Sequence, residues 1–108
     1  MINSVQLDGT VSSQPIFKSA NQKTTLEFEL TQVQDKFTRR FTIAATGKTA
    51  EYSQRLQKGQ HVVVLGWLAN ITKNQNTFVG VQAHRIYVTN NHDQVLPEDS
   101  VEQSNFDR

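Results

Sequence analysis

Gly47-Lys48-Thr49 is the closing triplet of a phosphate-binding loop, and it raises the possibility of nucleotide chemistry. That loop needs G-x-x-x-x-G-K-[ST], with two glycines framing a run of N–H groups that cradle phosphate. The first glycine would stand at position 42, which is Thr42, and Ile43-Ala44-Ala45-Thr46 reads as a continuing strand rather than a permissive loop. The triplet therefore needs another role. No further catalytic pattern emerges. The chain has no cysteine, and His61, His84 and His92 lack the spacing of metal ligands. There is no paired-acid constellation and no nucleophile beside a base, so an enzyme reading is poor and no cofactor is implied.

The elements around the triplet explain it. Ser4 to Val11 alternates Val5, Leu7, Gly9 and Val11 with polar residues, the period of a strand with one wet face. Gly9 suggests a bulge or a bend at a barrel corner. Ser12 to Lys23 has no clear period and reads as a loop, with room for a short strand at Ile16-Phe17. Thr24 to Gln32 alternates again, with Leu26, Phe28 and Leu30 on one face and Thr25, Glu27, Glu29 and Thr31 on the other. Gln34-Asp35-Lys36 is a polar turn. Phe37 to Ala45 is a third strand, with Phe37, Arg39, Phe41, Ile43 and Ala45 in one phase.

From Thr49 to Gln57 the period changes. Ala50, Ser53 and Leu56 are spaced three apart and Tyr52 and Leu56 four apart, as on one helical face. Lys58-Gly59 closes that helix with a cation and a C′ glycine, and Thr49 is its candidate N-cap. Gln60 to Leu68 is a fourth strand, covered on both faces at Val62-Val63-Val64-Leu65, with a bend at Gly66. Asn70 to Asn76 reads as a polar hairpin loop. Thr77 to Thr89 is a fifth strand with a phase change, hence a bulge, near His84-Arg85.

The order β-β-β-α-β-β is that of an OB-fold, an all-β, five-stranded Greek-key barrel with one helix between strands three and four. Gly47-Lys48-Thr49 is then a strand-to-helix turn. The barrel occupies residues 1–89. Residues 90–108 keep no period, and Asn90, Asn91, Pro97, Ser100 and Ser104 among several acids mark a flexible polar, acidic tail. With 36% hydrophobic residues and a net charge of +1, any attraction to nucleic acid must come from how charge is distributed. No run approaches a membrane span, and the N-terminus lacks the features of a signal peptide, so a cytoplasmic protein is expected.

These residues resemble the bacterial single-stranded DNA-binding proteins. That family opens with N-x-V-x-L-x-G-x-[VL], matched by Asn3 to Val11. It continues into G-K-x-A-E, L-x-K-G and G-x-L, matched in order and spacing by Gly47 to Glu51, Leu56 to Gly59 and Gly66 to Leu68. The resemblance covers about residues 3 to 89, and the primosomal replication protein B branch is also similar. It implies sequence-nonspecific binding of single-stranded DNA, accessory to replication, repair or recombination. It also implies a homo-oligomer, dimer or tetramer, at the nucleoid, with replication or recombination proteins as possible partners. The chain departs from the family where bases would stack on aromatics. The matching positions look like Lys36, Arg40, Thr46 and Lys73, none aromatic and three cationic. The tail also lacks the family's Pro-Phe ending. Both departures point to the primosomal branch and a charge-led grip.

An OB-fold binds oligonucleotides on its strand 2–3 face and in the loops joining strands one to two and four to five. Lys18 and Lys23 fall in the first loop, Lys36, Arg39 and Arg40 at the 2–3 turn, and Lys73 in the 4–5 loop. Phosphate contacts from such residues give affinity without sequence preference. Glu27 and Glu29 oppose this by placing acid on the same strand face, unless they pair with neighbouring cations. Phe37, Trp67 and Phe78 lie near the turns and are the candidates for stacking, while Phe28 and Phe41 fall in the core phase. Trp67 either stacks a base or sits at a subunit interface. The competing reading is an OB protein-interaction module of a replication complex that touches DNA weakly.

Overall fold

Period-2 runs with one apolar face are satisfied by turning that face inward against another apolar surface. Here a single sheet does so by closing on itself. The computed structural model describes residues 1–89. Its elements are β1 (Val5–Val11), β2 (Ile16–Ala20), β3 (Lys23–Gln34), β4 (Phe37–Thr46), α1 (Gly47–Tyr52), β5 (His61–Lys73) and β6 (Asn76–Thr89). The sheet order is β1-β5-β6-β4-β3-β2, and an additional β1–β3 pairing closes the ring. β4 and β6 are parallel, with Ile43 opposite Val81, and the other ladders are antiparallel. This is the expected OB-fold. The polar tail expected from residue 90 onward lies outside the described residues.

The interior is filled by the alternating sets seen in the sequence. Leu26, Phe28 and Leu30 of β3, Ile43 and Ala45 of β4, Val62 and Val64 of β5, and Val81 and Ala83 of β6 are buried together with Val11. Phe41 packs against them, as its phase implied. β1 turns the corner that closes the ring. Thr10 pairs with both His61 of β5 and Thr31 of β3. Gly9 stands beside that corner, where an added Cβ would come within 2.5 Å of the Thr31 carbonyl oxygen. The ladder runs through Gly9 without a register shift, so the residue serves a bend and close approach rather than a bulge. The bulge lies where the phase change near His84-Arg85 indicated. Leu65 pairs with Arg85 and Gly66 with Ala83, leaving His84 over. A Cβ on Gly66 would stand 2.0 Å from the Gln82 carbonyl oxygen.

Three sequence expectations are corrected. Within the segment from Ser12 to Lys23 the short strand expected at Ile16-Phe17 runs on to Ala20, because β2 forms a hairpin with β3 across Asn21-Gln22, and only Ser12 to Pro15 is a loop. All five β2 residues are exposed, so no buried face existed to imprint a period. The loop expected over Asn70 to Asn76 is a continuation of the β5–β6 ladder to Lys73 opposite Asn76, turning at Asn74-Gln75. Both turns hold their two residues at positive φ, 53° and 63° in the first and 53° and 68° in the second. That is the φ signature of type I′ hairpins, whose twist suits the flanking strands. With β2 added, the expected strands two to five are β3 to β6.

The helix is also shorter than expected. It spans six residues from Gly47, its N-cap is Thr46 without a side-chain bond, and Thr49 instead donates its hydroxyl to the His84 carbonyl at 3.1 Å. Beyond Tyr52 the chain tightens into three-residue turns, with Ser53 N–H on the Ala50 carbonyl and Leu56 N–H on the Ser53 carbonyl. Ala50 and Leu56 are still buried as the helical spacing required. Gly59 does not cap the helix. Its N–H donates to the Val11 carbonyl at 2.8 Å and ties this turn to the end of β1.

Candidate nucleic-acid interface

The β3–β4 register sorts the candidate residues by face. Thr25, Glu27, Glu29, Thr31 and Val33 of β3 stand opposite Thr46, Ala44, Thr42, Arg40 and Thr38 of β4, and the intervening residues face the core. β2 extends that outer face, with Ile16 opposite Glu27, Lys18 opposite Thr25 and Ala20 opposite Lys23. Lys18, Lys23 and Arg40 therefore share one side of a three-stranded surface. Lys18 and Arg40 stand level with Thr25 and Thr31, six residues apart on β3, which is about 20 Å at the rise of a strand. Lys48, which sequence reasoning absorbed into the strand-to-helix turn, is exposed two residues beyond Thr46 at the Lys18 end. Its only sequence signal was its place beside the end of the third strand.

The other two members of the 2–3 turn go elsewhere. Phe37 pairs with Gln34 and Arg39 with Gln32, in the phase of the barrel interior but beyond the barrel's end. Phe37 is 67% exposed there, and the Arg39 Nη1 donates to Gln34 Oε1 at 3.5 Å. Lys36 is exposed in the turn itself, where Asp35 takes φ 56°. The turn thus presents Arg40 on the outer face and Phe37 and Arg39 on the opposite one. A strand of nucleic acid touching all three has to pass around the turn.

β5 and β6 bring the remaining candidates to the outer face. Gln82 lies beside Ala44 and opposite Trp67, so Trp67, Ala69, Ile71 and Lys73 are in phase with Glu27, and Phe78 stands opposite Ile71. Trp67 is 40% exposed and stacks on the His84 ring, with centroids 5.8 Å apart and planes 16° from parallel. At that separation the rings are offset, so the bulge residue covers only part of one indole face, and Phe78 is half-buried.

A groove of ≈ 230 Å³ runs between the β1–β2 connection and the β5–β6 hairpin, lined by Ser13, Gln14, Ile16, Glu27, Phe28, Glu29, Thr42 and Lys73. Its two carboxylates do not project freely. Lys73 Nζ lies 2.7 Å from Glu27 Oε2. Ser12 Oγ lies 3.0 Å from Glu29 Oε1 and accepts a hydrogen bond from Thr31 Oγ1 at 2.6 Å, while the Glu29 backbone N–H donates to Ser13 Oγ at 2.9 Å. A larger concavity of ≈ 460 Å³ lies between β1 and the end of β3, where the lining includes Asp8, Gln32, Gln34 and His61 and no lysine or arginine. Asp8 Oδ2 approaches His61 Nε2 to 3.4 Å there. A polyanion selects by charge before volume, and each lining carries one acid in excess, Glu27 and Glu29 against Lys73 in the smaller and Asp8 in the larger, so the cations that could attract it are those on the strand faces around them. Among the described residues no helix is long and apolar enough to cross a membrane, and no group of three or more His, Cys, Asp or Glu side chains could hold a metal ion.

No protein-family model matches the chain, and no curated protein sequence matches it. Solved structures do. The chain is similar to the SSB domain of a protein from Synechococcus sp., with a TM-score of 0.66 and 22% identity, covering 81% of this chain and 96% of that one. It is similar also to the second single-stranded DNA binding protein of Mycobacterium smegmatis, with a TM-score of 0.67 and 22% identity, covering 80% and 87%. What is shared at that identity is the fold.

Proposed function

We propose that this chain binds single-stranded DNA without sequence preference, as a member of the single-stranded DNA-binding protein family and an accessory to replication, repair or recombination. The observation that carries the reading is the outer face of β2, β3 and β4. It is the surface on which an OB-fold holds oligonucleotides, and its two ends carry Lys18 and Lys23 on one side and Arg40 on the other. One structural neighbour is described as a single-stranded DNA binding protein and the other as an SSB domain, and that supports the same substrate class. Contacts from these cations to phosphate supply affinity with no base readout. Exposed Phe37 supplies a stacking surface when the strand rounds the β3–β4 turn.

The test is titration with oligo-dT at several salt concentrations. Arg40→Ala should weaken binding equally for different base sequences and reduce the salt slope by about 0.7, the value for one phosphate contact on a single strand. Phe37→Ala should weaken binding with the slope unchanged, because stacking releases no counterions. A parent protein that fails to bind oligo-dT at low salt would refute the reading. We also read the chain as a homo-oligomer that associates through strand surfaces, with Trp67 a candidate interface residue. Light scattering at micromolar concentration should return a multiple of the chain mass.

A further inference from the structure

Glu27 and Glu29 sit on the same strand and the same face, yet they are held in different ways. Glu29 is tied to the neighbouring β1–β2 connection through Ser12 and Ser13. Glu27 reaches 46 residues along the chain to Lys73, at the far end of β5. That contact constrains the path of the hairpin. Trp67 is level with Gln82 at the edge of β4, and Lys73 lies six residues further, about 20 Å along a straight strand. Glu27 is two strands to the side of Gln82, about 10 Å across the sheet. The hairpin cannot run straight off the sheet and still place Lys73 on Glu27. It curls over the outer surface of β4, and the ion pair holds its tip there.

We infer that Glu27 is an internal stand-in for phosphate: it occupies the Lys73 ammonium and pins the tip of the β5–β6 hairpin across the binding face until a nucleic-acid backbone displaces it. The inference rests on the single-stranded DNA reading above. A carboxylate and a phosphate both offer anionic oxygens to an ammonium, so either satisfies Lys73. The Lys73 and Glu27 side chains are 49% and 29% exposed, which leaves the pair within reach of solvent and of a competing anion. Exposed pairs are weak enough to exchange. The charge balance follows. Displaced from Lys73 by phosphate, Glu27 stays on the same binding face, so the two residues together still bring no net charge to the strand and release almost no condensed cation from DNA. Lys73 is then nearly silent in the salt dependence of the parent protein and becomes active when Glu27 loses its charge.

Oligo-dT titrations across salt, together with amide hydrogen exchange without DNA, test this. Glu27→Gln should bind oligo-dT two- to fivefold more tightly at low salt, the range an exposed ion pair spans. Glu29→Gln makes the same charge change on the same strand and is the control. The salt slope of Glu27→Gln should exceed that of Glu29→Gln by about 0.7, and the excess should vanish when Lys73→Gln is added to both. Amide exchange at the Asn74-Gln75 turn should quicken in Glu27→Gln and not in Glu29→Gln. Equal affinity, slope and exchange in the two variants would make Glu27 an ordinary surface charge and overturn the inference. If no variant binds oligo-dT, the DNA reading and the phosphate exchange fail together. Faster turn exchange in Glu27→Gln would still uphold the pin.

Discussion

The β5–β6 hairpin is held in two different ways along its length. Between His61 and Leu68 its strands belong to the closed ring. Val62 and Val64 are fully buried there, opposite Val88 and Ile86, while β1 pairs with β5 from His61 to Gly66 and β4 joins β6 at Val81 and Gln82. From Ala69 to Val79 the same two strands continue as an arm with nothing but each other in the ladder. Val79 is 65% exposed, and Asn74 and Gln75 both hold positive φ. The ring is fixed by apolar burial, which is strong and nearly independent of salt. The arm is fixed by backbone hydrogen bonds, turn geometry and the Lys73–Glu27 pair. Regions with little buried apolar contact sit at the low end of local stability, and a binding protein gains from placing its movable part where the ligand passes.

The largest expected effect is in the ring. Leu30 is fully buried opposite Phe41, and Leu30→Ala should cost about 2–5 kcal/mol through lost transfer energy and the cavity left behind. For a domain of this size the melting temperature should fall by at least about 10 °C in a circular-dichroism melt. A melt near the parent value would break the distinction between ring and arm. Gly66→Ala comes next. It sits at the bulge in the ring part of the hairpin, where the new methyl meets backbone rather than a movable side chain. The β5–β6 ladder must separate locally, and a loss of about 1–3 kcal/mol is expected in denaturant titration.

In the arm the same kinds of change should do little. Gln75→Gly removes a Cβ from a position with φ 68°, where an L side chain costs about 1–2 kcal/mol, set against about 0.5–1 kcal/mol of glycine entropy. A net gain of roughly 0.5 kcal/mol is expected, visible as slower amide exchange in the arm. Smallest of all, Val79→Ala truncates an exposed side chain and should leave the unfolding free energy within about 0.5 kcal/mol of the parent in denaturant titration. If it cost as much as Leu30→Ala, the arm would have to be buried in solution, most simply against another copy of the chain.

Where side chains record burial, the sequence was readable. Leu26, Phe28 and Leu30 alternate because one face of β3 is interior, and the same signal located β1, β4 and the ring halves of β5 and β6. The phase change at His84-Arg85 located the bulge, since one extra residue exchanges the two faces. The six named cations were placed near the turns, with Lys18 and Lys23 assigned to a loop that is really a hairpin. Whether Arg40 and Phe37 share a face also follows from parity, because they are three residues apart on one strand. What was not legible has a common cause. β2 and the arm expose both faces, so their pairing is made by backbone groups that every residue carries, and composition shows only polar residues such as Asn74 and Gln75.

The sequence by itself therefore determined which strands must bury a face, where the ring bends and bulges, and that Gly47-Lys48-Thr49 leads into a helix rather than a phosphate loop. Only the tertiary structure decided that the strand at Ile16-Phe17 extends to Ala20 and pairs with β3, that β4 and β6 lie parallel, and that Lys73 meets Glu27 across 46 residues of chain. Periodicity is a local record of which face is buried. Partner choice between strands and the meeting of two surface charges depend on ring closure, which no local pattern encodes.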